Sequence, residues 1–121
     1  ELPGFVAAVG ERKVGLITYR IDGNLCEIAT LNSLFPAHGI VSALLAAVRT
    51  DAVRLGCRAL QLTTTNDNLN ALRFYQKRGF AFAAVRPNAV DGTRKIKPVP
   101  LLGESGIPIR DEIDFLLNLD G

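Results

Sequence analysis

At 121 residues the chain has room for one domain with a proper core and little room for two. Hydrophobic residues make up 48%, charged residues 21%, and the formal net charge is +2, an ordinary globular balance that is too weakly basic to argue for nucleic acid. No apolar run approaches membrane-spanning length, the first residues carry no secretory-leader pattern, and Cys26, Cys57 and the single His38 have no disulfide or metal-ligand spacing, so no membrane and no metal are expected and the cytoplasm is the expected compartment.

Residues 4–9 read as a strand, Gly10 to Lys13 as a hairpin turn, and residues 14–20 as the return strand. Asp22-Gly23-Asn24 is a second turn signal and residues 25–31 a third strand, so the chain is expected to open with an antiparallel meander. Within the third strand, alternation puts Glu27, Ala29 and Leu31 on one face, with Cys26 and Ile28 on the other. The stretch Phe35-Pro36-Ala37-His38-Gly39 reads as a loop. A helix is expected over residues 40–55, since Ile40, Val41, Leu44, Leu45, Val48 and Ala52 recur at helical spacing while Arg49, Asp51 and Arg54 fall on other faces. Gly56 ends it.

Residues 58–65 then read as a strand with Leu60 and Leu62 on one face. Asn66, Asp67 and Asn68 break it, because their side chains bond to nearby backbone and favour turns and helix starts. Asn68 suits the N-cap of a helix over residues 69–77, Lys77 and Arg78 complement the dipole at its end, and Gly79 supplies the left-handed stop. Residues 80–85 read as the next strand, with Phe80, Phe82 and Ala84 on one face. A short helix is expected within residues 88–97, extended chain at 97–100 and a Gly/Pro-rich loop to residue 108. Residues 109–117 read as a last strand, on which Asp111, Glu112 and Asp114 are expected to form a solvated acidic face, Glu112 and Asp114 on one side and Asp111 on the other. The predicted class is α/β with a mixed sheet: an antiparallel meander, then helix, strand, helix and strand, and a C-terminal strand.

Packing alone does not require the residue order between Asn66 and Phe80. The run Asn68, Ala71, Phe74, Tyr75, Gly79, Phe80, with its spacing, resembles one signature segment of the GNAT superfamily of acyl-CoA-dependent N-acetyltransferases. The element order from Gly4 to Phe82 is similar to the middle and later parts of that fold. The resemblance implies acetyl-CoA as co-substrate, no metal, and direct attack of an amine on the thioester without a covalent enzyme intermediate. It also implies that the coenzyme wedges between two parting strands, those at residues 25–31 and 60–63, where a backbone N–H stabilises the oxyanion.

Residue by residue, the resemblance assigns Tyr75 as the general acid that protonates the leaving thiolate and Glu27 as a general base acting through water. A loop opening a long helix makes an anion site, and the family holds the pyrophosphate of coenzyme A there. The implied coenzyme contacts are Leu31 on the preceding strand, then His38, Gly39, Ile40, Val41 and Ser42. Gly39 matches the family pattern, whereas Pro36 stands where Gln or Arg is usual and Val41 where a second small residue is usual. Asn68, Asn70 and Phe74 complete the coenzyme set. The first strand and the helices that usually precede the meander are missing from the sequence, so residues 95–108 or a second subunit would supply one wall of the acceptor site, and a homodimer is a possible assembly. The acceptor is expected to be a small-molecule or protein amine. A module of the same fold that binds CoA weakly or mediates association is the alternative.

Overall fold

The computed structural model describes residues 2–34 and 39–119. Strands β1 (Gly4–Val9), β2 (Arg12–Asp22) and β3 (Leu25–Ser33) are followed by helix α1 (Ile40–Arg54), strand β4 (Ala59–Thr65), helix α2 (Leu69–Lys77), strand β5 (Ala81–Arg86), helix α3 (Val90–Arg94) and strand β6 (Glu112–Asn118). The strands hydrogen-bond in the order β1-β2-β3-β4-β6-β5. β1–β2, β2–β3 and β5–β6 are antiparallel and β3–β4 is parallel, which makes the predicted mixed sheet. Among the described residues no helix is long and apolar enough to cross a membrane. The chain divides into two compact units. The first runs to Gln61 and takes in the chain end from Asn118, and the second is Leu62–Leu117.

In the first unit, α1 lays Ile40, Leu44, Leu45, Val48 and Ala52 against β1, β2 and β3. The helix lies so close to β2 that a Cβ on Gly15 would sit 2.6 Å from Cγ2 of Ile40 and 3.1 Å from Cδ1 of Leu44. Any side chain there would push α1 outward. Val48 of the helix and Ile17 and Cys26 of the strands beneath it are fully buried. Burial first, then the neighbouring Cys57, pushes the Cys26 thiol up to about 11, so it stays protonated and inert. Tyr19 stacks on Phe5 and donates its hydroxyl to Asp51 near the end of α1. That hydrogen bond pushes the phenol up to about 12 and holds the Asp51 carboxyl below its usual range, helped by Arg54.

β3 departs from regular alternation. Tyr19 pairs with Ile28 and Thr18 with Thr30, so Ala29 is an extra residue in the ladder. Glu27 pairs with Arg20 while Leu31 pairs with Ile17, and Arg20 and Ile17 point to opposite faces of β2. The expected common face of Glu27, Ala29 and Leu31 is therefore corrected. Glu27 and Leu31 lie on opposite faces because the bulge resets the alternation between them.

In the second unit, α2 has the bounds read from sequence. Asn68 Oδ1 accepts the backbone N–H of Ala71 at 3.1 Å, and Gly79, at φ 92°, reverses the chain at the other end. Phe80 N–H bonds back to the Tyr75 carbonyl, so Phe80 belongs to the helix-closing turn rather than to β5. It is buried there against the Tyr75 ring, with centroids 5.4 Å apart. A second bulge, at Ala83, separates the pairs Phe82↔Phe115 and Ala84↔Asp114. Phe80, Phe82 and Ala84 therefore do not share one face as expected.

The expected loop at 101–108 folds as a tight hairpin. Leu102 bridges Pro108, and the N–H groups of Gly103 and Ile109 bond the carbonyls of Ile107 and Leu101. Ile109 and Arg110 thus belong to the hairpin base, and β6 begins three residues later than the sequence pattern suggests. The acidic face of β6 is also corrected at Asp114, which is buried. Arg86 bridges Glu112 at 3.0 Å and Asp114, and the Thr63 hydroxyl donates to Asp114 at 2.6 Å. Glu112 and Asp114 do share a side, as expected, since one guanidinium reaches both.

Candidate functional site

In the first unit, β3 and β4 pair over three residues only, Leu25↔Ala59, Cys26↔Leu60 and Glu27↔Gln61. β3 then runs on to Ser33 without β4 as its partner. Glu27 stands at the last pair. Its carboxylate lies 3.7 Å from the Arg20 guanidinium, and its side chain is 36% exposed. The apolar neighbours Cys26 and Ile28 thus do not bury it, because they point to the opposite face. An exposed ion pair at that distance is weak, worth under about 1 kcal/mol, so Glu27 stays open to water. Leu31 faces α1 with Ile17 and Tyr19, so its main chain, not a polar side chain, is what it can present.

Gly39 takes the left-handed conformation, φ 72° and ψ 8°, and stands as the N-cap of α1 with no side-chain cap and no acidic residue in the first turn. The backbone N–H groups of Ile40 and Val41 have no acceptor within the helix, and the helix dipole leaves this end positive. The Ile40 side chain packs against Gly15, so only its main chain can serve a ligand. Val41 and Ser42 are half-buried. His38 and Pro36 lie outside the described residues.

In the second unit, Tyr75 sits at the centre of an aromatic cluster, with ring centroids 5.3 Å from Phe74, 5.4 Å from Phe80 and 5.7 Å from Phe115. Burial alone pushes its phenol up to about 12. Its hydroxyl has no hydrogen-bond partner among the described residues. A phenol so held is protonated throughout the physiological range and has its donor unspent. Phe74 is covered by the Arg78 guanidinium, 3.5 Å from its ring centroid.

Asn68 spends its side-chain oxygen on the cap, which leaves its amide NH2 for a ligand. Asn68 and Asn70 line a pocket of about 340 Å³ closed by the 100–109 hairpin, with Asp67, Leu69, Gly103, Glu104 and Ser105. Gly103 makes the hairpin's approach possible, since a Cβ there would fall 2.2 Å from Oδ2 of Asp67. Two carboxylates in the lining disfavour a phosphate, whereas the amides and hydroxyl suit neutral hydrogen-bonding groups. Sequence reasoning missed Asn66, whose Nδ2 donates to the Pro108 carbonyl at 2.9 Å and whose Oδ1 accepts the N–H groups of Arg110 and Asp111. It fixes the base of the hairpin to the end of β4. Among the described residues, no group of three or more His, Cys, Asp or Glu side chains is arranged to hold a metal.

A family profile, the Acetyltransferase (GNAT) family, matches residues 1–80. The Bacillus subtilis (strain 168) protein YdhI, described as uncharacterized, is 52% identical over 123 residues, covering 99% of this chain and 76% of YdhI. A GNAT family acetyltransferase from Elizabethkingia anophelis, solved with acetyl-CoA bound, superposes with a TM-score of 0.81 at 25% identity, over 93% of this chain and 73% of the other. The IAA acetyltransferase from Bacillus cereus ATCC 14579 gives a TM-score of 0.82 at 23% identity over 93% and 75%. At that identity the likeness is one of fold.

Proposed function

Because the chain belongs to the GNAT acetyltransferase family, we propose that it transfers an acetyl group from acetyl-CoA to the nitrogen of an amine. The observation that carries this reading is Tyr75, whose phenol is protonated and unpartnered on the helix that bears the signature segment. The amine nitrogen attacks the thioester carbonyl carbon, and a tetrahedral oxyanion forms. Its collapse breaks the carbon–sulfur bond, and the departing thiolate takes the Tyr75 proton. Glu27, through water, accepts the proton that the amine loses on forming its new carbon–nitrogen bond. Backbone N–H groups at the start of α1, from Gly39 to Ser42, suit the coenzyme's pyrophosphate. Asn68 and Asn70 suit the pantetheine amides better than a phosphate, given the carboxylates beside them. Leu31 offers main-chain contacts, and Phe74 apolar surface. The buried free thiols of Cys26 and Cys57 fit a reducing cytoplasm.

Titration calorimetry with acetyl-CoA, followed by an assay of CoA thiol release across a panel of small amines and peptide N-termini, tests the reading. Ligand at 100 times its dissociation constant raises stability by about 2.7 kcal/mol, so a rise in melting temperature should accompany the heat. Neither heat nor stabilisation at about 1 mM acetyl-CoA, a ceiling that still detects millimolar affinity, would remove the coenzyme from the proposal. Binding without thiol release from any amine would favour the non-catalytic module. The specific observation for that second reading is Val41, which puts a branched, half-buried side chain in the first turn of α1.

A further inference from the structure

We propose that Arg94 is a positioning residue that sets the width of the second unit's pocket, and with it the size of the acceptor, a small amine with an apolar body. This rests on the acetyl-transfer reading above. At about 340 Å³ the pocket lies in the lower part of the usual range for ligand sites, about 300–1,000 Å³. Its α2 wall carries Asn68 and Asn70, which suit the coenzyme arm. Its hairpin wall carries Pro100, Leu102 and Ile109, which offer apolar surface, with Glu104 beside them. An alkylamine reaches the protein as a cation, since its pKa is near the lysine value of about 10.4. The carboxylates of Asp67 and Glu104 suit that charge, and the apolar wall suits the rest of the molecule.

The hairpin wall stands where it does because Arg94 holds both legs. One terminal nitrogen of its guanidinium donates to the Pro100 carbonyl at 3.0 Å and to the Ile109 carbonyl at 2.6 Å, one on each leg. The other donates to Asp91 at 3.2 Å, which fixes the guanidinium to α3. Asn66, by contrast, reaches the exiting leg alone. Pro98 and Pro100 have no N–H, so the entering leg has few donors for the carbonyls of the exiting one, and Arg94 supplies the Ile109 carbonyl instead. This arrangement leaves Nε of Arg94 buried with no hydrogen-bond partner among the described residues. Such groups are rare in native proteins and commonly mark strain or function. Pro100 and Ile109, whose carbonyls Arg94 holds, are themselves pocket wall, so a shift of the clamp is a shift of the wall. Without the guanidinium the legs part, the wall retreats, and a larger acceptor fits.

The test is an assay of the full chain with acetyl-CoA and two amines, n-butylamine and the bulkier 4-phenylbutylamine. Wild type should favour n-butylamine in kcat/KM by about tenfold or more, the scale on which a tight pocket sorts ligands by size. Arg94→Ala should bring that ratio to about one, acting on KM for the amines rather than on kcat, and leave KM for acetyl-CoA within about twofold. Arg94→Lys, which keeps its donors on one nitrogen but is one bond shorter, should recover part of the preference. Independently of activity, the N–H groups of Gly103 and Ile109, bonded across the hairpin, should exchange about tenfold faster with solvent in Arg94→Ala. Circular dichroism checks folding, and if Arg94→Ala does not fold, Arg94→Lys carries both comparisons with a smaller shift. A wild type that acetylates no amine removes the acetyl-transfer reading and the proposal with it. Turnover without size preference, a preference unchanged in the variants, or an equal loss on both amines leaves that reading standing and overturns the role of Arg94.

Discussion

The phenol of Tyr75 gains its chemical character from what surrounds it rather than from any partner. Three rings pack around the half-buried side chain, the phenol rises to about 12, and the hydroxyl remains unspent. Replacing it by Phe keeps the ring packing and removes only the donor. Stability should therefore change by less than about 1 kcal/mol, because no hydrogen bond is broken. In the proposed reaction kcat should fall by about 100-fold or more, the usual scale of general acid catalysis, with little change in KM for acetyl-CoA. An unchanged kcat removes Tyr75 from the acid role. Since the phenol keeps its proton to about 12, the rate of the wild type should show no alkaline loss through Tyr75 below about pH 10, the ordinary tyrosine value. Glu27 is the complementary case. Glu27→Gln should lower kcat/KM by about 100-fold with at most a minor cost in stability, since its ion pair with Arg20 is long and exposed; an unchanged kcat/KM assigns the base elsewhere.

At the scale of elements, the parts of the fold whose signals are local were readable from sequence. α2 needs only a capping Asn68, apolar spacing and Gly79, all within a dozen residues, and its bounds came out as expected. The bulges at Ala29 and Ala83 were not readable. Each is defined by pairing with a neighbouring strand, and an alanine carries no mark of being an extra residue. They decide the site's geometry nonetheless, because one turns Leu31 away from the face of Glu27. Asp114 shows the same limit, since the groups that bury and pair it, Arg86 and Thr63, lie 28 and 51 positions away in the chain. Close approaches were likewise hidden. Gly15→Ala should cost about 1–3 kcal/mol by overpacking against Ile40 and Leu44, and it should weaken acetyl-CoA binding by displacing the first turn of α1. Chemical denaturation and calorimetry read the two effects. Asn66→Ala should cost about 1 kcal/mol, because the Pro108 carbonyl and two N–H groups, mostly exposed, exchange its amide for water. Its distinguishing mark would be faster proteolytic cleavage within the 101–109 hairpin, and unaltered cleavage would show that the hairpin holds without it.

At the scale of the whole molecule, both units depend on carboxylates held in the ionised form. Asp51 in the first unit is held low by the Tyr19 hydroxyl and Arg54. Asp111 in the second is held low by Arg110 and the Asn88 N–H, and Asp114 by Arg86 with Thr63, against its burial. In each case the folded pKa lies below the unfolded value of about 3.9. Above that value both states are ionised and the stabilisation is fully present. As pH falls from about 5 through 3.9, the unfolded chain takes up these protons first, so stability is lost progressively until the folded pKa values are passed. The melting temperature should thus hold between about pH 5 and 7 and fall steeply below 4. Asp114→Asn should be less stable than wild type at pH 7, because it loosens Arg86 and Thr63, and should lose less than wild type on acidification to pH 3. Equal losses in variant and wild type across that range would show that Asp114 does not carry the acid sensitivity of the second unit, and Asp51→Asn puts the same question to the first.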